Sequence, residues 1–595
     1  MPPSPRVLQL AEKMAGRSAL WAGPLTARID EAVARLDRAS AVEALFARRP
    51  ALWSADPAVQ AEIADRLGWL TSPEWVLPHT PRLRRFGERV RADGFTDVVL
   101  LGMGGSSLAP EVIRSVMGVT PGWPDFHMLD STDPAAVIAI GSVIDLPHTL
   151  FLLASKSGGT IEPNAMAAHF RSRLEAAEVA RWADHFVAIT DEGTALHRRA
   201  AEAGFRDIFI NPSDIGGRYS ALSFFGLVPA SLMGHDPELL ADWGRAMLWL
   251  CGPGRLLGTN PAVLLGTAMG IGALSGRDKL TLYTPPALDA IGLWIDQLVA
   301  ESTGKQGRGI VPITGEPVGS AGEYGTDRVI VHLDSGQSPD LEVRDRLRAI
   351  AAAGTPFLQI DLVEPAALGA EFIRWELATA FAGALLEVNP FDQPNVQDAK
   401  DATGRLLSAV RAEGHLARPA PATTVGAQPA WLSAAARAGL RGQSAGHFLS
   451  LLRSGDYFAI LAYLGPDPAL LAEAGSLREA VRTRARCATT FAYGPRYLHS
   501  TGQLHKGGAN NGVFLVLSAE PESDLPVPGE AFSFHTLEQA QAIGDFASLD
   551  RAGRRALHVH LGRSSASLLR DICRALAAGL GALRPPEAEA VSEAE

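Results

Sequence analysis

The sequence predicts an α/β protein built on parallel sheets flanked by helices, and three observations carry that prediction. Short apolar runs of strand length recur along the chain, helix-like segments separate them, and glycine-rich loops follow several of the runs. Such alternation places helices over both faces of a parallel sheet. Residues 1–95 read as a helical segment, with helix-period apolar positions from Ile29 to Leu45. Residues 96–255 read as a first domain, with strands at Asp97–Leu101, Leu150–Ala154, Phe186–Thr190 and Ile208–Ile210. Residues 256–415 read as a second, with strands near Leu280–Thr284, Val329–Leu333 and Phe357–Leu362 and closing helices over Glu371–Leu386 and Gln397–Arg411. The Pro- and Ala-rich stretch 416–428 reads as a linker. A C-terminal α/β block follows over 429–595, with strands at Phe458–Leu464, Thr489–Tyr493, Val513–Leu517 and Leu557–Leu561. No convincing sequence repeat relates these blocks.

Composition narrows the function. The 595 residues are 47% hydrophobic and 20% charged, the balance of a soluble globular protein of several domains. The net charge is -11 and no block of Lys or Arg occurs, which argues against a nucleic-acid or anionic-membrane partner. A phosphorylated metabolite needs only a local cationic pocket and stays open. Cys251, Cys487 and Cys573 are too few and too scattered for a disulfide framework or a metal site, as expected in a reducing, cytoplasmic setting. Early charges at Arg6, Glu12, Lys13 and Arg17 argue against a signal peptide. The uncharged run Leu256–Gly276 has the length of a membrane span, but Asn260, Pro261 and its glycines favour a buried helix. Only six of the 54 basic residues are lysines, and four of them (Lys156, Lys305, Lys400, Lys506) fall in the motifs below. A lysine kept in so Arg-rich a chain points to places that need a compact ammonium.

Six segments could carry chemistry. LGMGGSSLAP (101–110) follows a strand and opens a helix, so Ser106 and Ser107 sit where free N–H groups and the helix dipole favour an anion. A plain tight turn fits it equally, and it matches neither a dinucleotide fingerprint nor a Walker loop. ASKSGGTIEP (154–163) offers hydroxyls at Ser155, Ser157 and Thr160 and a charge at Lys156, again beyond a strand's carboxyl end. GGRYS (216–220) presents Arg218. In DQLVAESTGKQGRG (296–309), Gln297 and Glu301 are four apart and share a helix face. Glu301 stands near that helix's C-terminus, where the dipole opposes a carboxylate, so stability alone does not explain it. NPFDQPNVQDAK (389–400) turns into a helix carrying Lys400. YLHSTGQLHKGGANNG (497–512) places His499, Gln503, His505 and Lys506 in a glycine-rich setting suited to acid/base work. His558 and His560 alternate along a strand and read as strand residues. No metal-binding spacing occurs.

GMGGSSLAP, SKSGGTIEP, GGRYS, QLVAESTGK and NPFDQPNVQDAK together resemble the glucose-6-phosphate isomerase family, over about residues 100–400. The resemblance implies two sugar-isomerase (SIS) sheets with the active site between them, a homodimer, and no metal or organic cofactor. It implies that Ser106 lines the sugar-phosphate site and that Ser155, Lys156, Ser157 and Thr160 hold the phosphate. Arg218 would stabilise the enediol charge, Gln297 contact substrate, Glu301 shuttle the proton between C1 and C2, and Lys400 assist ring opening or bind substrate. The chain departs from the family at the ring-opening histidine, which normally precedes the Lys400 motif; here HSTGQ lies at His499, about a hundred residues later. This arrangement resembles the isomerase half of transaldolase/glucose-6-phosphate isomerase fusions, although the chain is too short to hold a transaldolase barrel. In the family that histidine comes from the neighbouring subunit; the resemblance gives His499 the ring-opening role and leaves open whether it acts within one chain or across a dimer interface.

The expected reaction is the interconversion of glucose 6-phosphate and fructose 6-phosphate through a cis-enediol. A dual phosphoglucose/phosphomannose isomerase is the enzyme alternative, and a non-catalytic SIS-type sugar-phosphate sensor the alternative from another class. A sensor would keep the phosphate loops without needing Gln297, Glu301 and His499.

Overall fold

The structure, a computed structural model, describes residues 3–335 and 341–582. The remaining positions of the regions read as 1–95, 256–415 and 429–595 lie outside the described residues. The α/β fold class holds. Sixteen strands occur among the described residues, in three sheets. In chain order they are β1 (Ser18–Trp21), β2 (Asp97–Leu101), β3 (Asp125–Leu129), β4 (Thr149–Ala154), β5 (Phe186–Asp191) and β6 (Asp207–Asn211). Then come β7 (Lys279–Tyr283), β8 (Val311–Ile313), β9 (Arg328–Asp334) and β10 (Phe357–Asp361). The C-terminal set is β11 (Thr423–Val425), β12 (Gln428–Leu432), β13 (Tyr457–Tyr463), β14 (Ala488–Tyr493), β15 (Gly512–Ala519) and β16 (Arg555–Leu561).

The first sheet is all parallel in the order β3-β2-β4-β5-β6. β2 and β4 are buried along their whole length, as strands covered on both faces must be. The order reverses between them, and a crevice opens at such a switch point beyond the strands' carboxyl ends. The loops after these two strands are the glycine- and serine-rich segments 102–107 and 155–160, so topology brings both motifs to one crevice.

The second sheet has the order β1-β10-β9-β7-β8, and the third β11-β12-β16-β15-β13-β14. Their parallel cores, β10-β9-β7-β8 and β16-β15-β13-β14, share one strand order. Each also takes an antiparallel strand at the same flank, β1 on β10 and β12 on β16. The C-terminal block thus repeats the second sheet in architecture although no repeat is visible in its sequence.

Several local expectations change. The N-terminal segment is not purely helical, because β1 leaves it to complete the second sheet. The helical stretch Ile29–Leu45 is two helices, Thr26–Arg38 and Ala41–Phe46, broken where Ser40 takes a left-handed φ of 48°. The stretch read as a linker, 416–428, contains β11, which pairs with β12 as a hairpin. β1, β3 and β11 are edge strands with partly exposed residues, and so lack the continuous apolar run that marks a central strand. The run Leu256–Gly276 holds the helix Pro261–Leu274, capped by Asn260 and packed on the buried helix Leu368–Leu386. Among the described residues no helix is long and apolar enough to cross a membrane.

The C-terminal block docks against both preceding sheets. One apolar cluster joins Ala300, Val311 and Ile313 to Tyr457, Leu461, Tyr463 and Phe514. Another joins Phe151, Met166 and Phe170 of the first sheet's layer to Phe532, Phe534 and Leu537. Buried charges fix the fit: Arg478 donates to the carbonyls of Thr314 and Gly315 at 3.0 Å each, and Arg496 meets Asp130 at 2.6 Å. Buried pairs of this kind add little net stability but penalise any other docking.

Candidate active site

Glu301 lies in the last turn of the helix Ile291–Thr303, three residues past Leu298 on its buried face. Its carboxylate takes Arg218 Nη1 on Oε1 at 3.0 Å and Gln297 Nε2 on Oε2 at 3.0 Å. Arg218 is held in place by four hydrogen bonds besides its ion pair with Glu301. Nε donates to Ser302 Oγ at 2.8 Å, Nη1 to Gln393 Oε1 at 3.1 Å, and Nη2 to the carbonyls of Pro390 and Asp392 at 2.8 Å each. The Asn-Pro-Phe-Asp-Gln turn is therefore a carbonyl cradle. It also holds Lys305, whose ammonium donates to the Asn389 and Asp392 carbonyls and to Asp392 Oδ1.

Gln297 Nε2 makes a second bond, 2.8 Å to the carbonyl of His499. Both its acceptors can only accept, so the amide nitrogen must face them. The opposite atom, Gln297 Oε1, is buried without a protein partner among the described residues.

Two glycines of the 102–107 loop make this approach possible. A Cβ on Gly104, already at φ +52°, would stand 2.7 Å from the His499 carbonyl and 2.9 Å from Gln297 Nε2. A Cβ on Gly105 would land 2.1 Å from the Gly217 carbonyl, beside Arg218. Ser106 is buried in the same turn.

The loop after β4 is held by its own side chains. Ser155 Oγ accepts from Gly158 N at 3.1 Å and pairs with Thr160 Oγ1 at 3.1 Å, while Ser157 Oγ accepts from Gly159 N at 3.3 Å. The helix Ile161–Ala176 starts immediately after, with free N–H groups facing a cavity of about 330 Å³. Ser157, Thr160, Glu162, Lys400, His499 and Lys506 are among its lining residues.

His499 reaches this cavity from the C-terminal block of the same chain. Its Nε2 is 2.9 Å from Glu162 Oε1. Glu162 is fully buried, which would push its carboxyl up, but His499 and then Lys400 outweigh burial and hold it below the usual carboxylate range. A carboxylate only accepts, so the ring nitrogen that faces it, Nε2, carries a proton.

Arg218, Gln297 and Glu301 form one cluster, which the Gln297 bond to the His499 carbonyl joins to the cavity lined by Ser157, Thr160, Lys400 and His499; Ser106 is buried in the glycine turn next to that cluster, and Ser155 lies in the loop that borders the cavity. One expectation changes. Lys156 does not point into the cavity: its ammonium is taken by the Asp191 carboxylate and, at 2.9 Å, by the Ser213 carbonyl. The lysines among the cavity's lining residues are Lys400 and Lys506. His499, left open between one chain and a dimer, lines the cavity from the C-terminal block of the same chain. Of the other candidates, His505 packs against the rings of Tyr457, Tyr497 and Phe514, and burial keeps it neutral. Gln503 ties Asn395 to Gly304. Among the described residues no group of three or more His, Cys, Asp or Glu could hold a metal ion.

Comparison with known proteins agrees with this geometry. The family described as phosphoglucose isomerase matches residues 77–241. A glucose-6-phosphate isomerase of Rubrobacter xylanophilus is 32% identical over 394 residues, covering 58% of this chain and 90% of that protein. The chain belongs to the glucose-6-phosphate isomerase family. A second family relative, from Methanocaldococcus jannaschii, is 26% identical over 350 residues and spans 53% of this chain and 85% of its own. Among solved structures, a hypothetical protein from Thermus thermophilus superposes over its full length and 67% of this chain, with a TM-score of 0.55 and 25% identity.

Against this family background, three site residues escaped the sequence reading: Glu162, Gln541 and Thr132. Glu162 had a faint signal, an acid in the first turn of a helix that follows a phosphate-type loop. Gln541 and Thr132 had none, since only the docking of the C-terminal block makes them neighbours.

Proposed function

We propose that this isomerase-family chain interconverts glucose 6-phosphate and fructose 6-phosphate, as the name of its Rubrobacter relative suggests, with Glu301 as the proton-transfer base. One observation carries the reading: the buried Glu301 carboxylate is held between its ion pair with Arg218 and a hydrogen bond from Gln297, whose other amide atom has no protein partner among the described residues. The phosphate docks at Ser157, Thr160 and the N-terminus of the following helix, with Lys400 supplying charge. Ring opening needs a proton delivered to the ring oxygen and one removed from the anomeric hydroxyl. His499, backed by Glu162, exchanges those protons through Nδ1. Glu301 then takes the C2 proton, and Arg218 stabilises the negative charge that develops on the enediol oxygen in a site with little water. The hydroxyl proton passes from O2 to O1, and return of the carbon-bound proton from Glu301 to C1 gives the ketose. Positioned acid/base groups of this kind each contribute about 10²–10⁴-fold. The chemistry belongs to glycolysis and gluconeogenesis, and its setting is the cytoplasm.

A coupled assay with purified protein tests the reading. Turnover of glucose 6-phosphate that collapses in Glu301→Gln supports it. Binding of fructose 6-phosphate without turnover would replace it with the sensor function.

A further inference from the structure

Gln541 belongs to the helix Phe534–Arg551 of the C-terminal block, is 2% exposed, and takes part in none of the chemistry above. Its Nε2 donates to Glu162 Oε1 at 2.8 Å, the same oxygen that His499 Nε2 meets at 2.9 Å. Its Oε1 accepts from Thr132 Oγ1 at 2.8 Å. Thr132 is fully buried just past β3, and Gln541 itself lines the cavity. The orientation of the amide is set by chemistry: the carboxylate accepts only, so the NH₂ must face Glu162, and the amide oxygen is then the acceptor for the threonine hydroxyl.

We infer that Gln541 is a positioning residue for the acid/base pair: its amide, anchored on Thr132, fixes the Glu162 carboxylate so that His499 keeps its proton on Nε2 and presents Nδ1 to the cavity. Without it, Glu162 has one side-chain donor on Oε1 instead of two, and can rotate toward the Lys400 side of the cavity. Two consequences follow. The histidine's tautomer is no longer imposed, and the carboxylate's charge, less shared with a neutral donor, acts more strongly on the imidazolium. The C-terminal block therefore contributes both the histidine and the group that aligns it, so that its docking and the competence of the site are one event.

This inference takes its functional meaning from the isomerase reading, but its central observable does not. Nitrogen NMR of His499 in the full-length protein reports the tautomer whether or not turnover occurs. The wild type should show a neutral ring protonated on Nε2. In Gln541→Leu the two tautomers should mix, kcat should fall about tenfold with KM within about twofold, and the limb of the pH profile that reports His499 should move to higher pH. Gln541→Glu, which sets a second carboxylate against Glu162, should move that limb further in the same direction. Thr132→Val keeps the shape and removes only the anchor, so it should show a smaller shift of the same sign; it carries the test if the Gln541 variants do not fold. A glutamine that is merely structural would lower the melting temperature and leave the tautomer and pH profile as they are, and that result would overturn the inference. If the wild type turned over no sugar phosphate while the ring signals responded as described, the isomerase reading would fail and the positioning role would stand.

Discussion

Gln297 Nε2 stands 2.8 Å from the carbonyl oxygen of His499, and this bond joins the helix of the second sheet that carries Glu301 to the C-terminal block. The proposed base and the proposed ring-opening group are thus tied together inside one chain. Specific activity should stay constant as the enzyme is diluted, while sedimentation reports whether it is still associated. Activity lost in step with dissociation would show that a second copy completes the site.

Glu301→Gln keeps a side chain of the same size between Arg218 and Gln297 but removes the base. kcat should fall by about 10²–10⁴-fold with KM little changed. Solvent deuterium incorporation at C2 of the substrate should disappear with it. Near-normal turnover would remove Glu301 from the mechanism.

Glu162→Gln takes the anion from His499. The expected result is a drop in kcat of about 10²-fold and a shift of the corresponding limb of the pH profile to lower pH, because the imidazolium loses its counter-charge. An unchanged profile would mean that the 2.9 Å contact is not used.

Lys156 and Lys400 should separate cleanly. Lys400 lines the cavity, and Lys400→Ala should raise KM for the sugar phosphate about tenfold or more, as expected for a charge-assisted contact. Lys156→Ala instead strands Asp191, whose carboxyl burial already pushes up against the pull of Lys156. It should lower the melting temperature and change KM far less. The opposite pattern would restore Lys156 as the phosphate ligand.

Asp296 precedes Gln297, is partly buried, and accepts from Thr314 Oγ1 at 2.9 Å; desolvation pushes its carboxyl up to about 7. A folded value above the unfolded one means that the fold binds the extra proton between about 4 and 7. The stabilisation is complete below the unfolded value and is lost as pH rises through the folded one. Asp296→Asn should therefore melt higher than the wild type at pH 8, by something on the order of 1–3 kcal/mol of stability, with the gain vanishing toward pH 4. No gain at pH 8 would show that the carboxylate finds a partner when ionised.

The central strands and their loops were legible because each is a contiguous solution to a local problem. β2 and β4 need unbroken apolar runs to be buried on both faces, and the loops behind them need glycine and serine at fixed offsets to turn into helices. The edge strand β3 was not legible, since a half-exposed strand carries no such run. The lysines point to places that need a compact ammonium, yet Lys156 and Lys305 use it to bind backbone carbonyls rather than substrate.

By itself the sequence determined the fold class, the two anion-type loops, and the identity of Glu301, Gln297, Arg218 and His499 as candidates. Only the tertiary structure decided that His499 meets Glu162, 337 positions away, that Gln541 and Thr132 stand behind them, and that Lys156 is turned aside. The physical reason is the range of the interactions. Backbone turns and helix starts are encoded within a few residues, whereas an ion pair between distant elements exists only once buried surfaces such as the Tyr457–Ile313 and Phe534–Phe170 clusters have fixed how the C-terminal block docks.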